Sequence, residues 1–209
     1  MDLNHFFEEL ASEKPVPGGG SASCIAAAEA VALLEMVVRL SVGRENEKEI
    51  DEKFTRLLEK LKTAYSYFLS LAEKDADGYQ KVMESFRLPK RTETEKARRK
   101  QAIQSAFEGA IASPLELMQN ATDLLRWNIF ILEHGNKNAF SDAGVAFHLI
   151  CVAFEGGKMN VLINVDSLHN PVKKREYIRE VASLEETFTS LKHQAEKQIE
   201  KWLVSLSKG

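Results

Sequence analysis

Two stretches of this 209-residue chain, 44–77 and 172–208, contain neither glycine nor proline. A sheet protein needs turn residues far more often than once in 34 or 37 positions, so such spans are legible only as long helices. Gly 11 and Pro 5 together make about 8% of the chain, against roughly 12% in average usage. The fold class is therefore all-α, and 209 residues suffice for one helical domain over 1–209 with a sizeable core.

Composition narrows the function classes. Lys+Arg 28 against Asp+Glu 31 gives a net charge of −3, without the basic excess of a dedicated nucleic-acid binder. Hydrophobic residues at 44% offset chain entropy and exclude disorder. Cys24 and Cys151 are too few and too far apart for a disulfide framework or a metal spacing, and both read as small buried hydrophobes. No metal or membrane role is expected. The most apolar stretch, 22–42, is interrupted by Glu29, Glu35 and Arg39, and the first ten residues lack the pattern of a secretory leader. The expected compartment is the cytoplasm.

Local patterns predict about seven or eight helices. The first covers Asp2–Ser12. A second, small-residue helix runs from Ser21 to Val42, with Ser21 or Ser23 as N-cap and Gly43 beyond its end. Its alanines suit a central helix that packs close to neighbours or to a flat ligand. Apolar steps of three and four predict a long helix from Glu45 to Phe86 that Gly78 could break. Thr92 with Glu95 forms a capping box for a helix to Ala112, and Ser113-Pro114 reads as the start of a new or kinked helix to His134. Ser141 is expected to cap the next helix with Asp142 in its first turn, and Pro171 opens the last.

Four places could carry chemistry. Gly18-Gly19-Gly20 precedes a helix start, either as a plain turn or as backbone that meets a ligand. Lys90 lies in a proline-fixed loop ahead of the basic run Lys96–Lys100, itself read as a solvated helix face. The stretch 134–144 concentrates Asn136, Asn138, Ser141 and Asp142, more polar groups than capping requires. Asn160 and Asn164, one turn apart in an apolar run, either bond neighbouring backbone or read a heterocycle. His148, among Phe147, Leu149 and Ile150, reads as a core residue, and Asp75 and Asp77 as exposed acids.

Taken together, several stretches in order resemble one family: Leu10-Ala11-Ser12, Pro17-Gly18-Gly19-Gly20-Ser21, Leu88-Pro89-Lys90, Ser113-Pro114-Leu115, Gly135-Asn136, Ser141-Asp142 and Asn160-Val161-Leu162-Ile163-Asn164. The chain resembles the cyclodeaminase domain of formiminotransferase-cyclodeaminase and the free-standing bacterial methenyltetrahydrofolate cyclohydrolases, over about residues 6–170. The formiminotransferase half has no counterpart here.

The resemblance implies an intertwined homodimer acting on a folate, with no cofactor besides the tetrahydrofolate substrate. The first expectation is closure of 5-formiminotetrahydrofolate to 5,10-methenyltetrahydrofolate with release of ammonia. The alternative is hydration of the methenyl bridge to 10-formyltetrahydrofolate, and a second alternative is a non-catalytic folate-binding or structural dimer. On the matching motifs, Asp142 is the candidate base, since a first-turn carboxylate faces the positive end of the helix dipole. Lys90 would orient the folate carboxylate or protonate the departing amine. Gly18, Gly19, Gly20 and Ser21 would press against a ring plane. Asn136, Ser141, Asn160 and Asn164 would supply polar contacts to the pterin. Lys137 and Phe140 depart from the family pattern and imply a bulkier pocket rim.

Overall fold

The computed structural model describes residues 2–44 and 47–207. Six α-helices and one 3₁₀ turn account for its secondary structure, with no strand among the described residues. The helices are α1 Leu3–Leu10, α2 Gly19–Arg39, α3 Lys48–Arg87, α4 Glu93–His134, α5 Phe140–Asp166 and α6 Pro171–Leu206, with the 3₁₀ turn at Lys137–Ala139. The all-α expectation holds with fewer, longer helices than the seven or eight expected.

The difference lies in two residues that do not break their helices. Gly78 sits inside α3 facing α4, where a Cβ would meet the Ala110 Cα at an ordinary contact distance of 3.5 Å. Pro114 lies within an uninterrupted α4 of 42 residues. Proline has no N–H to give the carbonyl four residues back, and that carbonyl, on Ala110, instead receives the Asn164 side-chain amide of α5 at 3.4 Å. The Thr92–Glu95 capping box forms as expected. Glu45, the expected start of α3, lies outside the described residues.

The small-residue helix α2 is the centre of the bundle, packed by α3, α5 and α4, with α6 laid across α4 and α5. Ala27, Ala30, Val31 and Leu34 are fully covered, and Phe54, Phe68, Ile111, Met118 and Phe154 close the core around them. Each such aliphatic or aromatic side chain contributes about 1.5–3 kcal/mol by leaving water. α2 and α5 pack tightly at Ser23 and Gly156, where a Cβ on the glycine would fall 1.9 Å from the serine Oγ. Both helices are long and apolar enough to cross a membrane by length and composition, yet α2 is largely wrapped by the other helices and α5 is covered on one side.

Helix ends differ in detail from the sequence reading. α2 begins at Gly19, so Ser21 and Ser23 lie inside it, and Gly18 is an N-cap without a side chain. Gly43 takes a left-handed φ of 72°, just past the helix end. Ser141 does not cap α5; the preceding 3₁₀ turn leads straight into it, with Asp142 in the first turn. Phe140 forms no pocket rim: it is buried and stacks on Trp202 of α6 at 4.8 Å. His148 is exposed rather than buried. Cys24 is buried and Cys151 half-buried, and burial pushes their thiols up to about 12 and about 11.

Candidate active site

The glycine segment does form a pocket wall. A cavity of about 350 Å³, within the range of small-ligand sites, lies against Gly18, Gly19 and Gly20 and is faced by Asp75, Asn160 and Asn164. Tyr79, Phe107 and Ile163 supply its apolar surfaces. The polar groups thus come from three elements: the start of α2, the middle of α3 and the C-terminal part of α5.

Asp75 is the group the sequence reading assigned wrongly. It is half-buried, while Asp77 is exposed as expected. Its carboxylate lies over the first turn of α2, where a Cβ on Gly20 would come within 2.4–2.7 Å of it. Only glycine admits that approach. Ser21, buried behind the pocket wall, directs its Oγ to Asp75 Oδ2 at 3.4 Å and the Ala72 carbonyl at 3.3 Å. The first turn of α2 thus has a carboxylate of another helix beside it, in place of the expected serine cap. Burial raises the Asp75 pKa; hydrogen bonds from the Ser21 hydroxyl and backbone oppose the rise without cancelling it. A signal was available. Leu71, Asp75, Gly78 and Val82 follow helical steps of four, three and four, so the carboxylate occupies the core-facing seam of α3.

Asn160 and Asn164 give their amide N–H groups to backbone, Asn160 to Gly156 O at 2.8 Å and Asn164 to Asn160 O at 2.8 Å and to Ala110 O. Both remain in the pocket wall, with no hydrogen-bond donor among the described residues on either Oδ1.

Lys90 lies outside this cavity in an adjoining basic recess with Lys96, Arg99, Lys100 and His169. Ile103 in the recess and Phe107 in the pocket are one turn apart on α4. Gln104 fixes the wall between them, donating to Ser167 O at 3.3 Å and accepting from the His169 N–H at 2.5 Å.

Asn136, Ser141 and Asp142 do not join the pocket within one chain. Asn136 ties the α4–α5 connection to the end of α2. Its backbone N–H reaches Ser41 Oγ at 2.9 Å, its amide reaches Leu40 O at 3.1 Å, and its Oδ1 accepts from the Asn138 N–H at 3.0 Å. Asp142 sits 18 residues before Asn160 on α5, about 27 Å along the axis. Among the described residues, no three His, Cys, Asp or Glu side chains converge to hold a metal ion.

Fold and pocket together define a helical protein, without strands among the described residues, that carries a cavity sized for a small molecule. A sequence model of the formiminotransferase-cyclodeaminase family matches residues 2–183, and the chain belongs to that family. It is 31% identical over 182 residues to methenyltetrahydrofolate cyclohydrolase of Methylorubrum extorquens, covering 87% of this chain and 88% of that one. Mouse formimidoyltransferase-cyclodeaminase is also 31% identical over 182 residues, but these span only 34% of its length. The crystal structure of formiminotetrahydrofolate cyclodeaminase from Thermotoga maritima superposes with a TM-score of 0.87 at 27% identity, covering 97% of this chain and 98% of that one.

Proposed function

We propose that the protein closes 5-formiminotetrahydrofolate to 5,10-methenyltetrahydrofolate and releases ammonia. Asp75 carries the reading: a carboxyl held above the usual carboxylate range by burial, in a pocket whose floor is bare glycine backbone. Ring closure joins N10 to the formimino carbon and then breaks the bond from that carbon to the departing nitrogen. N10 loses one proton, and the leaving nitrogen gains that proton and one more to depart as ammonia. A carboxyl with a raised pKa is better suited than an ordinary one to both giving and taking protons. Gly19 and Gly20 would let a ring plane approach the first amides of α2. The free oxygens of Asn160 and Asn164 would accept from pterin N–H groups. The basic recess around Lys90, one helical turn away, suits the carboxylate tail of a folate.

Hydration of the methenyl bridge to 10-formyltetrahydrofolate is the second reading, favoured by the end-to-end match with the cyclohydrolase. It uses the same pocket, with Asp75 taking a proton from water. A homodimer, a cytoplasmic setting and the absence of any resident cofactor belong to the same proposal; the exposed apolar side of α5 supports the dimer. The deciding assay mixes purified protein with 5-formiminotetrahydrofolate and follows methenyltetrahydrofolate absorbance and ammonia. A catalysed rise with equal ammonia release supports the first reading. No rise, with faster decay of added methenyltetrahydrofolate, supports the second. Neither change would reduce the protein to a folate binder.

A further inference from the structure

We infer that the groove between the first half of α3 and the second half of α4 is a second small-molecule site. Its chemistry fits a planar ring with a phosphate at one end and an N–H or O–H donor at the other, as in a nucleoside monophosphate. The site stands apart from the folate reading. Lys60, at the middle of the groove, lies 15 residues before Asp75 on α3, about 22 Å along the axis, and the two cavities share no lining residue.

The groove has two lobes. One, of about 270 Å³, holds Lys53, Arg56 and Arg126 beside a floor of Leu57 and Phe130. The other, of about 250 Å³, holds Thr63, Tyr67, Asn120 and Asp123. Lys60 and Trp127 border both. Joined, the lobes reach the size of small-ligand sites, about 300–1,000 Å³. They line up because α3 and α4 run antiparallel. Lys60 stands over the Trp127 ring at 5.7 Å, and two turns further along α3 Tyr67 bonds Glu116, three turns back along α4.

The two ends differ in charge. The chain as a whole carries −3, yet four cations gather around one half-buried indole. Lys53 pairs with Glu49 at 3.0 Å and Arg126 with Asp123 at 2.5 Å, each within one turn of its own helix. Neither Arg56 nor Lys60 has an ion-pair partner among the described residues. Cations that share a cleft repel one another when it is empty and focus their field on an anion that enters. The Arg56 guanidinium supplies the planar fork that matches phosphate oxygens, and Lys60 a second, mobile charge.

The other end offers acceptors. The Tyr67 hydroxyl donates to Glu116 and accepts from Asn120 Nδ2 at 3.3 Å, and the same Nδ2 donates to Glu116 O at 2.7 Å. Burial and the bond to Glu116 raise the Tyr67 pKa, so the hydroxyl stays protonated and the network keeps its direction. With its nitrogen committed, Asn120 keeps an Oδ1 that no donor reaches among the described residues, in the lobe that also holds the Asp123 carboxylate. Two acceptors repel a phosphate and welcome a donor. The ligand is therefore oriented: phosphate at Arg56, ring against Trp127, donor at Asn120. Arg56 and Thr63 are seven residues apart on α3, about 10 Å, which leaves room for a ring and a sugar between the ends.

Adenosine monophosphate is the probe, because it carries all three elements. The chain has two tryptophans, so Trp202→Phe leaves Trp127 as the only indole reporter. Titration should quench Trp127 fluorescence saturably, with an affinity that falls as salt rises. Arg56→Gln combined with Lys60→Gln, at two exposed positions free of ion pairs, should weaken binding at least about tenfold with an unchanged urea midpoint. Asn120→Ala should weaken adenosine monophosphate but not phenyl phosphate, which has no donor to lose. Absence of a saturable response, or equal affinity in the Arg56/Lys60 double variant, overturns the site. Displacement of the nucleotide by 5-formyltetrahydrofolate also overturns it, by placing the probe in the Asp75 pocket. Equal losses for the two probes in Asn120→Ala overturn the orientation. None of these readouts uses turnover, so failure of the folate reaction and failure of this site are told apart.

Discussion

Gly20→Ala separates the chemistry of the pocket from its stability. The new Cβ would lie 2.4 Å from Asp75 Oδ2, 2.6 Å from Oδ1 and 2.7 Å from Cγ. Ordinary contact needs about 3.4 Å or more, so the carboxylate must retreat by about 1 Å. It is the free end of a side chain and can do so without moving a helix. An off-rotamer torsion costs about 0.5–1.5 kcal/mol, and weakening the Ser21 bond costs about 0.5–1.5 kcal/mol. Alanine in a helix returns about 0.5–1 kcal/mol relative to glycine. The net loss of stability should stay below about 2.5 kcal/mol. Turnover is far more sensitive: a 1 Å misplacement costs about 100-fold, or about 2.7 kcal/mol of barrier. Urea denaturation and steady-state kinetics on the same preparation read both quantities. Gly19→Ala is the control, because nothing lies within 4 Å of its Cβ. It should fold normally and raise KM through the ring-facing wall while leaving kcat nearly unchanged. If Gly20→Ala keeps kcat within about twofold of wild type, Asp75 is not the working acid.

Asp75→Asn should lower kcat by about 10²–10⁴ while making the fold less sensitive to pH. Because burial raises this pKa, its ionisation opposes folding. The wild type keeps full stability below the ordinary aspartate range and loses part of it as pH rises through the folded-state value. The stability advantage of the variant should therefore widen from acid toward neutral pH, and a narrowing gap in denaturation midpoints would refute the assignment. Pro114→Ala restores an N–H donor to the Ala110 carbonyl and should raise stability by about 1–3 kcal/mol. The same change releases the Asn164 amide and should raise KM for the folate, a trade readable by calorimetry and kinetics on one sample. Lys90→Ala should raise KM with kcat unchanged, most strongly for folates with the longest carboxylate tails; an unaltered KM would exclude the tail-binding role.

Fold class was legible because it depends on local signals that tertiary contacts did not reverse. The unpunctuated spans, the capping box at Thr92 and the start of the last helix at Pro171 all appear where local chemistry puts them. Helix number was overestimated because glycine and proline were read as breaks. Gly78 proved to be a contact point, and the backbone acceptor left by Pro114 found a donor on another helix, an event that has no local signature. The pocket was half legible. Gly18–Gly20, Asn160 and Asn164 converge on one cavity, as their residue types suggested. Asp75 was misread because acids on long helices are usually solvated, although its place between Leu71 and Val82 marked it as core-facing. The separation of Asp142 from that cavity could not be read from a linear order of motifs, which carries no information about distances in the fold.

The Asn164–Ala110 contact also bears on motion. A helix with a proline inside it opens most readily around the missing bond, and in this protein the compensating donor belongs to the pocket wall. Local opening of α4 near Pro114 and release of Asn164 are therefore a single event. Ligand seated against Asn164 would hold α4 shut, so amide exchange just before Pro114 should slow when substrate binds. The proline that weakens the helix thereby makes its breathing responsive to occupancy of a pocket on the neighbouring helix.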